Sequence, residues 1–243
     1  MPHPQPAPAA TPAAQPAAPR QFVNFCFYKL DAAWRRLLEA ERLAGKKEFL
    51  EAAALFADKV IVLPYSTFGF RPEVDFFLWR ISYRLEDFEE MSAALHKTKL
   101  GSYLSTPNSF LAQSKRSTYV DKLNPEHENM RTKIVPGKFK YLFVYPFLKT
   151  REWYLLSKEE RQKMMDEHIM VGNKFPSVKL NTTYSFGLDD QEFVVAFESD
   201  YPSDFLDLVM ALRETQGSRY TLRDTPIYTG VRRSLEETLN LIA

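Results

Sequence analysis

The chain repeats its own pattern 117 positions apart. Phe76 and Phe193, Ser82 and Ser199, Tyr28 and Tyr145, Asp87-Phe88 and Asp204-Phe205, and Ala94-Leu95 and Ala211-Leu212 all stand at that separation. One offset held over so many positions predicts two copies of a single supersecondary unit, which must bury their apolar faces together.

The residues inside each copy spell the same order. In the first, residues 22–29 are rich in aromatic and β-favouring side chains and predict a strand. Asp31 can cap a helix over residues 31–59, with Trp34, Leu37, Leu38 and Leu43 as its apolar positions. Residues 60–70 predict a strand broken near Pro64, and residues 75–83 predict another. A helix over residues 85–97 carries Phe88, Met91, Ala94 and Leu95 on one face. A strand over residues 109–120 closes the unit. In the second copy, strands are predicted over 140–147, 178–186, 191–199 and 225–231. A helix over 157–171 opens on Ser157, with Glu160 completing a capping box. A second helix covers 202–215, and a terminal helix starts at Ser234. Each copy reads βαββαβ. The predicted fold class is therefore α+β: two ferredoxin-like βαββαβ repeats packed as a dimeric-type α+β barrel. The expected organisation is a disordered Pro/Ala-rich tail over 1–20, an N-terminal half over 21–120, a polar linker over 121–138, and a C-terminal half over 139–243.

Bulk properties exclude several function classes. A formal net charge of +1 gives no basic field for nucleic acid. With Cys26 as the one cysteine, no intramolecular disulfide can form, which fits a reducing compartment and leads to an expected cytoplasmic location. No apolar run approaches the roughly 18 residues of a membrane span. The Pro/Ala tail lacks the apolar core of a secretory signal.

Few residues carry chemistry. His3 lies in the tail, His127 in the linker, and His96 at a helix end where an imidazolium suits the dipole. His168 shares a helix face with Met164 and Met165 and so points toward apolar surroundings. From spacing it is either a buried core residue or a metal ligand. Tyr145 and Lys149 lie toward the end of a strand, followed by Trp153 and Tyr154. A tyrosine there either packs the sheet or reaches a pocket, where it can donate a hydrogen bond or give up one electron. Asp189-Asp190 resembles a carboxylate pair, but it sits where a turn between strands favours Asp. No Gly-rich phosphate loop and no Gly-x-Ser-x-Gly elbow occurs.

A longer string carries a resemblance: Tyr145-Pro146-Phe147-Leu148-Lys149, Trp153-Tyr154, Glu160-Arg161, Met164-Met165-Asp166-Glu167-His168, Gly172, then Thr183-Tyr184-Ser185-Phe186-Gly187-Leu188-Asp189-Asp190 and Glu192-Phe193. It resembles the chlorite dismutase superfamily over residues 21–243, and most closely its coproheme decarboxylase branch. The resemblance implies the two-repeat barrel, a homopentamer, and haem b or coproheme III bound in the second half with His168 as proximal iron ligand. It implies that Tyr145 relays oxidation to a propionate and that Lys149 holds propionates by charge-assisted hydrogen bonds. Arg131 and Thr225 align as further propionate contacts. Hydrogen peroxide is the implied oxidant, and haem b the implied product.

The sequence also departs from the family pattern. Leu180 stands where chlorite dismutases proper carry a distal arginine, with Asn181 next to it. Without that cation a chlorite-derived oxyanion is poorly stabilised, so chlorite decomposition is not expected. Gln216-Gly217 replaces the carboxylate found behind the proximal histidine in many relatives, with Glu214 nearby. A weaker push on iron suits a decarboxylase better than a dismutase. The alternatives are a haem peroxidase-like enzyme with weak chlorite activity and a non-catalytic haem-binding or haem-delivery protein.

Overall fold

The structure, a computed structural model, describes residues 19–119 and 133–242. Nearly all of the Pro/Ala tail, most of the linker, Arg131 and His127 lie outside the described residues. The first repeat comprises strand β1 (Phe22–Leu30), helix α1 (Glu39–Ala54), β2 (Ile61–Ser66), β3 (Phe76–Ser82), helix α2 (Glu86–Lys97) and β4 (Leu104–Gln113). The second comprises β5 (Tyr141–Lys149), helices α3 (Arg151–Leu155) and α4 (Lys158–Gly172), β6 (Lys179–Tyr184) and β7 (Phe193–Ser199). It continues through helix α5 (Pro202–Arg213) and strands β8 (Thr221–Arg223) and β9 (Tyr228–Arg232) to the terminal helix α6 (Leu235–Ile242).

The nine strands of the described residues belong to one sheet, in the order β7-β6-β4-β1-β3-β2-β9-β5-β8. Because β5 pairs with β7 as well as β9, the sheet closes on itself as an antiparallel barrel, with β8 outside the ring. The two repeats meet along short seams. Gln113 pairs with Tyr184 at one, and Tyr65 and Ser66 pair with Arg232 and Val231 at the other. Side chains reinforce the first seam, where Asp189 Oδ2 accepts from Leu111 N at 2.8 Å and Gln191 Nε2 at 2.9 Å. Asp189 is thus a turn residue that staples the halves together. Gly187 takes φ +72° in that turn, and Gly69 takes φ +83° in the matching β2–β3 turn, a region that favours glycine.

Alternation along the strands sorts side chains to the two faces. Val23, Phe25, Phe27, Tyr65, Phe77, Trp79, Leu142, Val144, Val194 and Ala196 fill the barrel. The outer face of the first repeat carries Cys26, Tyr28, Phe76 and Leu78, which pack against Phe49 of α1, Met91 and Leu95 of α2 and Leu239 of α6. The outer face of the second repeat has a smaller cluster, Phe143 and Phe197 against Phe205 and Leu208 of α5.

Several expectations are corrected. The helix expected over 31–59 is interrupted. Asp31 caps a 3₁₀ turn over Ala32–Arg36, the chain extends through Leu37 and Leu38, and α1 then begins. The interruption turns Trp34 back onto α1, where a Cβ on Gly45 would lie 2.7 Å from Trp34 Cη2. Leu38 and Leu43 are consequently exposed, and Phe49 and Gly45 are the buried positions of α1. Pro64 does not break its strand. Its carbonyl accepts from Arg233 N on the β9 side, just beyond the last β9 pair, so the missing N–H falls where no ladder bond is needed. The strand expected over 109–120 begins earlier, at Leu104.

The repeat offset also drifts. Phe22 faces Ser82 in the first repeat, whereas Tyr141 faces Ser199 in the second. β3 and β7 keep the 117-residue spacing, but β5 lies two residues further on. The counterpart of Tyr145 is therefore Cys26, opposite Leu78 as Tyr145 is opposite Val195, and not Tyr28.

Candidate functional site

Helix α4 is fixed at its start by its own sequence. Ser157 Oγ accepts from Glu160 N at 3.2 Å, and Glu160 Oε2 accepts from Ser157 N at 2.9 Å. The helix buries none of its residues fully. It is held from the side: Glu167 Oε2 accepts from Gln216 N at 2.9 Å, and a Cβ on Gly217 would lie 3.9 Å from Met164 Cβ. The outer sheet face in this half presents Tyr145, Phe147 and Lys149 of β5, Leu180, Thr182 and Tyr184 of β6, and Phe193 and Val195 of β7. None of these is fully buried, and Leu180 is 47% exposed. An apolar face is left open beside the helix that bears His168.

Burial holds the His168 imidazole at a pKa of about 4; the Lys149 charge pushes the same way and Glu167 opposes it. At neutral pH the ring is therefore uncharged, the form that binds metal. No hydrogen bond among the described residues engages it. Among those residues no group of three or more His, Cys, Asp and Glu side chains could hold a metal ion. A lone, neutral imidazole on an apolar face fits a metal that brings its other ligands with it, as in a macrocycle.

Lys149 ends β5 beside this histidine. Its Nζ donates to Gly217 O at 2.7 Å and lies 4.5 Å from the Trp153 ring centroid. Burial lowers its pKa to about 8, against the opposing charge of Glu192. Glu192 was not legible as a site residue: its Oε2 accepts from Lys149 N at 2.8 Å and from Tyr154 Oη at 2.5 Å. Trp153 is buried through the short helix α3, which sequence patterning did not separate from the following loop.

Tyr145 stacks on Phe197 at 6.0 Å between centroids and packs in the cluster that includes Val209 and Leu212 of α5. Burial pushes its phenol well above the usual range; Asp224 adds to the shift and Arg213 opposes it. Arg213 and Asp224 form an ion pair, Nη2 to Oδ2, that sequence reading missed. Thr225, the next residue, is exposed. Leu180 faces outward, whereas its neighbour Asn181 points into the barrel and donates to Glu198 Oε1 at 2.9 Å. The structure thus places Tyr145, Lys149 and Leu180 on one outer face with His168 on the helix beside it. Arg131 lies outside the described residues.

Fold and site define a ferredoxin-like α+β barrel with one outer face filled and the other left open to an imidazole. The chain belongs to the chlorite dismutase family, whose model matches residues 40–233. It is 32% identical to the coproheme decarboxylase of Mycolicibacterium smegmatis over 206 residues, 82% of this chain and 85% of the relative. It is 27% identical to the chlorite dismutase of Ideonella dechloratans, over 93% of this chain and 81% of the relative. Among solved structures, chlorite dismutase from Candidatus Nitrospira defluvii in complex with imidazole superposes with a TM-score of 0.84 at 26% identity, covering 91% of this chain and 94% of that one. No helix among the described residues is long and apolar enough to cross a membrane.

Proposed function

We propose that this chain is a haem-binding oxidoreductase that converts coproheme III to haem b with hydrogen peroxide, and that His168 would hold the iron. The observation that carries this reading is the pairing of Tyr145 and Lys149 on one outer face of β5, beside the helix bearing a neutral, unpartnered His168. The 32% identity to a coproheme decarboxylase supports it.

When bound, the macrocycle supplies the iron at which peroxide is reduced. Each of the two reacting propionates loses carbon dioxide, one side-chain proton and two electrons in all. Peroxide takes the electrons and, with protons, becomes two waters. Tyr145 gives up one electron and its phenolic proton, then regains a hydrogen atom from the propionate. Burial keeps it a neutral phenol at rest, ready for that exchange. Lys149 holds carboxylates by charge. Its Nζ already donates to Gly217 O, which fixes the ammonium at the strand end. Arg131 and Thr225 are further propionate contacts in this reading. Leu180 supplies no cation at its position on β6, which favours decarboxylation over chlorite chemistry. The same apolar residue favours the second reading, a haem-binding or haem-delivery protein without turnover. The proposal includes a cytoplasmic homopentamer, whose assembly sedimentation velocity measures.

The test loads apoprotein with ferric coproheme III, titrates hydrogen peroxide and follows the porphyrin by mass spectrometry. Stepwise loss of two carboxyl groups is expected. Tyr145→Phe should bind coproheme normally and slow its decarboxylation by at least about 100-fold, about 2.7 kcal/mol in the barrier. Normal turnover by Tyr145→Phe refutes the mechanism. Bleaching of wild type without decarboxylation moves the reading to the haem-carrier alternative.

A further inference from the structure

The ion pair of Arg213 and Asp224 has a placement that the fold alone does not require. β8 pairs Arg223 with Leu148 of β5, and β9 pairs Tyr228 with Val144. The segment from Asp224 to Ile227 therefore runs alongside β5 at the level of Tyr145 to Phe147. From the other side Leu212 of α5 packs against the same cluster as Tyr145, Arg213 follows it, and the phenol feels the charge of both Arg213 and Asp224. Among the described residues, the charges beside the phenol are thus Arg213 from the end of α5 and Asp224 from the β8–β9 segment. β7 contributes the uncharged Val195 and Phe197.

Lys149 is on the same face of β5 but four residues on, about 13 Å along a strand at roughly 3.3 Å per residue. One ammonium at that distance does not hold a carboxylate that is presented to Tyr145. A carboxylate arriving there meets Asp224, which repels it, and Arg213, whose side chain is 51% exposed and so accessible. A guanidinium already bound to one carboxylate has the fork geometry to accept another.

We propose that Arg213 is a cation that receives the propionate carboxylate presented to Tyr145, and that Asp224 is its placeholder until a tetrapyrrole propionate displaces it. The inference rests on the decarboxylase reading, because that reading brings a propionate to Tyr145. In either state the guanidinium is bonded to one carboxylate. Arg213 is a binding residue, and Asp224 acts through it.

The experiment is an absorbance titration of apoprotein with ferric coproheme III and, separately, with haem b, in which two of the four propionates are already vinyl groups. No peroxide is present, so the result is independent of turnover. Arg213→Gln should weaken coproheme III about tenfold and haem b by less than about twofold, the scale of one charge-assisted contact. Asp224→Asn removes the competitor and should tighten coproheme III by about two- to threefold. Arg213→Lys should recover part of the lost affinity. A salt bridge that only supports the fold makes both variants weaken both ligands. That result, equal weakening of the two ligands by Arg213→Gln, or unchanged coproheme affinity overturns the proposal. If wild type fails to decarboxylate coproheme yet shows the predicted difference, the reaction is refuted and the propionate site stands.

Discussion

The two halves share a fold and differ in what lies between sheet and helices. In the first, Trp34, Phe49, Met91, Leu95 and Leu239 fill the space so fully that Gly45 leaves no room for a methyl group beside the indole. In the second, α4 buries nothing fully and the sheet beside it presents half-exposed aromatic and aliphatic side chains. The counterparts Cys26 and Tyr145 summarise the difference: one is a small buried side chain under a packed layer, the other a phenol next to an ion pair. A duplicated unit lets one copy supply the stability while the other keeps an unfilled face, which a ligand can complete. Binding then stabilises the folded state by mass action.

The contrast can be broken most directly through packing. Trp34→Ala and Phe49→Ala should each cost about 3–5 kcal/mol of apoprotein stability. Met164→Ala on α4 should cost less than about 1 kcal/mol, because its side chain borders an open face. Urea denaturation reads both, and equal losses would remove the asymmetry.

Acid sharpens the comparison next. His168 has its folded pKa depressed to about 4, while the unfolded chain titrates near the ordinary value of 6.5. Between those values the unfolded state binds more protons, so stability is lost as pH falls through that window and is unaffected above it. The loss should reach about 2 kcal/mol in apoprotein and be absent in His168→Gln, as urea midpoints at pH 7 and pH 4.5 will show.

A pair of glycines gives a smaller, opposed effect. Gly45→Ala on α1 drives a methyl group into Trp34 and toward Leu100 N, and should destabilise by about 1–2 kcal/mol. Gly172→Ala at the end of α4 meets nothing within 4 Å and should be neutral or stabilising by about 0.5 kcal/mol. Thermal melts of the two variants decide it.

Lys149 supplies the last test. Its folded pKa of about 8 lies below the unfolded value, so holding the charge opposes folding below pH 8, and that penalty fades as pH rises toward 10.5. Lys149→Met should stabilise apoprotein by about 1 kcal/mol at pH 7, less the lost contacts to Gly217 and Trp153, and by progressively less above pH 8.

Much of this was legible in the sequence because alternation and helical spacing are local. The two βαββαβ units follow from runs such as residues 22–29 and 191–199, and the capping box at Ser157 marks α4. The break between Leu37 and Leu38 was not legible, since it depends on Trp34 finding Gly45 across a turn. The Tyr28–Tyr145 match misled because two extra residues separate the halves before β5, and a single offset cannot show a drift. Spacing put His168 on an apolar face but could not say that the face is open. The Arg213–Asp224 pair joins a helix end to a strand boundary, and no periodic signal marks such a contact. Its one visible cue was the basic residue in the last turn of α5.

The most direct test of the open second face is amide hydrogen exchange of apoprotein and of protein loaded with ferric coproheme III. Backbone amides in α1 should be protected in both forms. Those in α4 around His168 should exchange quickly in apoprotein and become protected on loading. Equal protection of α1 and α4 without ligand, or an α4 that loading leaves unchanged, would contradict the account.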